Sequence, residues 1–257
     1  MTSTMESGVQ AQQPQEPAGL SQVERVADAF VAPTKTFLDI RRDASWWLPF
    51  VLGILVSILF VTAVDRRIGF DQVALANINR SAQAQERMSA MTDAQREQVM
   101  RKVATSTRIV SYAYPIGTLV FTLIVAGILM MSFNIGLGGQ ATYQQYVAVW
   151  FYAGLPLLLK YLLAASVIFA GATPQGFDIR NPIGTNIGWY LPSDMSQWVR
   201  TLFSSVDVFT IWAAILLIVG CATIARVKRS RAAFIVVGWW IFTILAATVT
   251  AAFQRGS

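Results

Sequence analysis

Histidine is absent from the 257-residue chain, and cysteine occurs once, as Cys221. The first absence removes every triad that relies on an imidazole, and with it zinc sites of the Cys/His type. A single thiol rules out an intrachain disulfide framework. Cys221 stands in the apolar run LLIVGCATIA, where a small buried or lipid-facing hydrophobe is the simplest reading. Charge is scarce as well. Asp, Glu, Lys and Arg make up 13% of the chain, against about 25% in soluble domains. That is too little polar surface for a water-facing globule, while 54% of the residues are hydrophobic. Lipid must replace water over much of the surface, so composition alone points to an integral membrane protein.

The charge present sums to +6. The basic residues flank apolar runs instead of clustering on a polar domain, which fits anionic lipid head groups and argues against nucleic acid. Residues 1–19 are rich in Gln, Pro, Ser and Gly and read as a disordered tail. They lack the cationic start and apolar stretch of a secretory signal. Residues 20–45 follow as two short amphipathic helices. Ser21 and Glu24 have capping-box spacing, Leu20, Val23, Val26, Ala27, Phe30 and Val31 share a face, and Pro33 ends the first helix and opens the second. One reading lays this segment on the membrane, with Phe30, Phe37, Arg41 and Arg42 in contact with its surface. The other packs it on the protein's own bundle. The pattern supports both.

Apolar runs near or above the roughly 20 residues that cross a bilayer core cover about 46–64, 109–133, 147–172, 203–225 and 232–253. The expected fold is all-α: a polytopic bundle of about five transmembrane helices over 46–257, preceded by the short interfacial helices. Pro115 and Pro156 lie inside the second and third runs, where neighbouring helices can satisfy the freed carbonyls. The charged segment 65–108 carries helical signals, including Thr92 and Gln95 as a cap. Segment 173–202 is Pro-, Gly- and Asn-rich and reads as irregular structure at an interface. Tyr112, Tyr114, Tyr143, Tyr146, Trp150, Trp189, Tyr190 and Trp198 lie near span ends and read as an aromatic belt. Arg226, Lys228, Arg229 and Arg231 place the last turn in the cytoplasm by the positive-inside rule. Five spans then put the N-terminus inside and the C-terminus outside a plasma or inner membrane. Arg66, Arg67, Arg101, Lys102 and Arg108 oppose this orientation.

No catalytic, cofactor or metal site is readable. Gly136, Gly138 and Gly139 lack the setting of a phosphate loop, and an aspartyl protease would need a second intramembrane carboxylate. Lys160 is the anomaly, lying near the middle of the third run, where a charge costs about 2.5–3.5 kcal/mol on insertion scales. Either it faces protein, as a structural ion pair or a site for an anionic ligand, or it snorkels. Asp207, in the first turn of the fourth run, is the only carboxylate within any span. With these boundaries the two differ in depth by about 12 Å, which argues against direct pairing, and a first-turn carboxylate favoured by the helix dipole accounts for Asp207.

Taken together, VERVADAFVAPTKTFLDIRRDASWWLPFVLGILV, ATYQQYVAVWFYAGLPLLL, NPIGTNIGWYL and SSVDVFTIWAAILLIVGCATIARVKRSRA resemble the Yip1 domain family in its bacterial form, over about residues 22–253. The resemblance implies a five-span fold with a cytosolic N-terminus. Eukaryotic members of that family act in vesicle trafficking and bind prenylated Rab GTPases. Here Ala32–Pro33 replaces the acidic Leu-x-Gly-Pro motif of that branch, which argues against GTPase binding. The leading expectation is a non-enzymatic membrane scaffold or adaptor that recruits other membrane components. The alternative is a small transporter or lipid-binding protein built around Lys160. A water-accessible pocket at Lys160 favours the second, and a packed, dry bundle the first.

Overall fold

The computed structural model describes residues 19–79, 82–171, 177–192 and 195–253. Apart from Gly19, the expected tail lies outside them. Helix α1 (Gln22–Val31) starts at a capping box in which the Ser21 amide donates to Glu24 and the Glu24 amide to Ser21. Pro33 opens α2 (Pro33–Ile40), since a first-turn residue needs no amide hydrogen for the helix. Helix α3 (Trp47–Ala63) runs into a π-turn, Val64–Ile68, and stops at Gly69, whose φ of 85° suits glycine. Helices α4 (Phe70–Asn79) and α5 (Ala82–Ser89) follow.

Helix α6 (Asp93–Met130) begins at a second capping box, Thr92 with Gln95. Its 38 residues span about 57 Å, nearly twice a bilayer core. Its first turns therefore extend beyond the membrane, where α4 packs on it. A π-turn (Met131–Ile135) and a Gly-containing turn lead to α7 (Tyr143–Ala153), capped by Thr142 and Gln145. Gly154 breaks the third span, and α8 (Leu155–Phe169) carries it on with Pro156 in its first turn. A single 3-10 turn (Ile187–Tyr190), α9 (Gln197–Ser204), α10 (Val208–Ala225) and α11 (Arg229–Phe253) complete the chain.

Among the described residues, five helical stretches are long and apolar enough to cross a membrane. This is an all-α, multi-pass architecture. The fourth differs from the sequence expectation. Residues 203–206 do not enter the span: amphipathic α9 ends at Ser204 and packs against α11, and α10 begins only at Val208.

Two apolar cores hold the bundle. One gathers Phe37, Phe133, Tyr146, Val149, Tyr152 and Cys221 where α2, α7 and α10 meet. The other gathers Phe60, Val64, Val73, Ile168 and Phe177 at the far end of α3. Tyr146 is wholly buried instead of joining an aromatic belt, because its hydroxyl donates to Asn134 at 2.9 Å. At the periphery large side chains face outward. Phe234 on α11 is 83% exposed and Ile116 on α6 is 70% exposed, as lipid-facing positions should be.

Candidate functional site

Lys160 lies on α8, one turn beyond Pro156, and its Nζ sits 3.0 Å from Oδ2 of Asp207. Asp207 does not lie inside the fourth span. It is the N-cap of α10, where Oδ1 accepts the Phe209 amide at 2.9 Å. The irregular segment supplies the remaining donors. The Thr185 hydroxyl bonds Oδ2, and the Asn186 amide approaches it at 3.4 Å. Asn186 is tied in turn to Asn181, which also reaches Ser204. An isolated bridge joins Asn186 to Asp207, with the Val208 amide donating to the Thr185 carbonyl.

The pair forms despite the gap inferred from sequence because both span ends lie elsewhere. Helix α8 ends at Phe169, not Ala172, so Lys160 is only about 14 Å from that end by helical rise. Helix α10 starts five residues later than its apolar run suggested, with residues 181–190 folded against its tip. The Asp207 side chain is 1% exposed and that of Lys160 12%. The two form a neutral pair, and the Asp207 carboxylate also accepts from Phe209, Thr185 and Asn186. Among the described residues, no group of His, Cys, Asp or Glu is arranged to hold a metal ion.

Sequence reasoning missed Asn181, Thr185 and Asn186 as partners of Asp207. Their signal was the polar cluster NPIGTN, but the fold back onto Asp207 is a long-range contact that no local spacing encodes.

The four residues expected at the membrane surface separate. Phe37 is fully buried, its ring filling the space left by Gly220 on α10, where an added Cβ would stand 2.9 Å away. Phe30 turns its ring edge-on to Trp212, 5.6 Å between centroids. Phe37 is therefore committed to docking on α7 and α10, and Phe30 in part, while Val23, Val31 and Leu38 of the same hairpin stay exposed. The hairpin is also stapled by Arg25, only 2% exposed, which reaches Asp39 at 2.5 Å and Asp43 at 3.0 Å. Burial opposes its charge, but the hydrogen bond and field of Asp39 win and raise its pKa above the ordinary arginine value. Gln22 accepts from the Tyr152 hydroxyl at 2.9 Å, and Gln145 donates to the Arg41 carbonyl at 3.1 Å. Arg41 is half-buried and Arg42 exposed. With Arg226, Gln140 and Gln145 they line a polar cleft of about 380 Å³.

A family model of the Yip1 domain matches residues 27–250. The chain belongs to the Yip1 family. The match takes in the second half of α1, all of α2, four candidate spans and most of the fifth, and both the Lys160–Asp207 pair and the segment that covers it. No curated protein and no solved structure matches the chain.

Proposed function

We propose that this Yip1 protein is a non-enzymatic scaffold or adaptor, which organises or recruits other membrane components and carries nothing across the bilayer. The observation behind this reading is the closed Lys160–Asp207 pair beneath residues 181–190. A transport site must release and re-engage its charge. Separating a buried pair strands a charge at a cost of about 3–5 kcal/mol. The pair suits a permanent brace between α8 and α10.

The N-terminus is assigned to the cytoplasm of a plasma or inner membrane, and the C-terminus to the outside. Arg41, Arg42 and Arg226 line one cleft, so the N-terminal hairpin and the basic last turn share a face. The opposing charge of the first loop is partly neutralised within the protein, with Arg108 on Asp65 at 2.8 Å and Arg101 on Glu97 at 2.9 Å. Proposed partners are anionic lipid head groups at that cleft and other membrane proteins. A GTPase is not among them.

Amine-reactive labelling in proteoliposomes, read by mass spectrometry, tests the closed pair. Lys35 and Lys228 are exposed and should be modified, while Lys160 should stay unmodified. Modification of Lys160 at a comparable rate would favour the transporter reading.

A further inference from the structure

A separate cleft of about 590 Å³ opens between α3, α6 and α8, within the roughly 300–1,000 Å³ of ligand sites. It follows α3 from Pro49 to Val61, walled by Gly53 and Ile54 on one side and Leu157 and Leu158 on the other. That length is about 18 Å by helical rise, so a volume near 590 Å³ implies a mean section of about 33 Å². With the width of a water molecule added, the bore is roughly 9 Å wide, narrower than a helix of 10–12 Å from a second copy. It is wide enough for one hydrocarbon chain.

The cleft is not uniformly apolar. Ile179, which packs on the core containing Phe60, brings Arg180 to the end where α3 finishes. Two other cations near that end are engaged: Arg108 pairs with Asp65, and Arg67 lies over the Phe169 ring at 5.9 Å. The Arg180 guanidinium makes no ion pair among the described residues and is exposed, while its backbone amide donates to the Asp178 carboxylate at 2.8 Å. Tyr114 and Tyr161 also line the cleft. So does Ser111, whose carbonyl loses its helical partner because Pro115 has no amide hydrogen. A narrow apolar bore among membrane spans, with a cation and hydrogen-bonding groups, matches an amphiphile drawn from the bilayer.

We propose that this cleft holds one acyl chain of an anionic phospholipid, with the head-group phosphate against Arg180. The site shares no residue with the Lys160–Asp207 pair and does not depend on the scaffold reading. Native mass spectrometry of the full chain in mild detergent, supplied with phosphatidylglycerol or phosphatidylcholine, tests it. The wild-type protein should retain one phosphatidylglycerol per chain, preferred about tenfold, the size of one charge-assisted contact. Gly53→Phe, which drives a ring into the bore, should abolish retention of both lipids. Arg180→Gln should bring the two lipids to equal occupancy. If Gly53→Phe does not fold, Leu157→Trp fills the bore from the opposite wall and should give the same loss. Absence of bound lipid in the wild type, unchanged retention in a folded filled variant, or a dimer in place of the lipid would each overturn the proposal.

Discussion

At the scale of single residues, burial makes charge and volume unforgiving. Lys160 and Asp207 are each tolerable within the bundle because the other is 3.0 Å away, so their substitutions should be coupled. Lys160→Met leaves a carboxylate held only by neutral donors, and Asp207→Asn leaves an ammonium without its counter-ion. Each should lower the melting temperature. The double variant should lose less than the sum, with a coupling of about 1–3 kcal/mol. Additivity in a thermal-unfolding cycle would mean that the pair contributes no net interaction. Glycines set the second limit. At Gly188 an added Cβ would stand 2.6 Å from the Ser204 backbone nitrogen, and at Gly220 it would stand 2.6 Å from Val149. Backbone cannot yield as a flexible side chain can. Gly188→Ala should therefore loosen the cover over Asp207, and amine-reactive labelling of Lys160 should rise. Gly220→Ala should cost roughly 1–3 kcal/mol by overpacking the Phe37 seat.

Among the elements, the α1–α2 hairpin carries the clearest dependence. Its helices are too short to persist alone in water, and they hold their places through Arg25, the Phe37 seat and the Tyr152–Gln22 bond. Arg25→Ala leaves Asp39 buried without its cation, a change of the class that costs about 3–5 kcal/mol. Limited trypsinolysis in detergent should then cut at Lys35, Arg41 and Arg42 far faster than in wild type, while the spans stay intact. Unchanged cleavage would show that the apolar contacts suffice. Acid should loosen the start of α1, read as faster cleavage there by pepsin, which is active at low pH. The Ser21 backbone hydrogen bond, joined by the Ser21 side chain, lowers the Glu24 pKa below its ordinary 4.5. A depressed carboxylate contributes stability above its unfolded value and loses it as pH falls through the folded one. The effect belongs at or below about pH 4.

For the whole molecule, the basic last turn and the α2 cleft make orientation testable. In a Cys221→Ala background, Ser230→Cys should resist an impermeant thiol reagent in intact cells, and Ser257→Cys should react. Labelling of the first from outside would reverse the assignment.

Much of the architecture was already legible along the chain. Scarce charge, long apolar runs and capping residues such as Ser21, Thr92 and Thr142 act locally, through transfer into lipid and through unsatisfied amides at helix ends. Span number, helical class and the membrane setting follow from them. Long-range packing decided the rest. The depth of Asp207 depended on where α10 begins, and that on Asp207 acting as a cap and on Asn186 folding back to it. Hydropathy cannot register either, since Phe203 and Val206 extend the apolar run that continues into α10. Likewise Phe30 and Phe37 have the same amphipathic pattern whether the face meets lipid or protein. Gly220, some 180 residues away in sequence, supplied the hole that turned Phe37 inward.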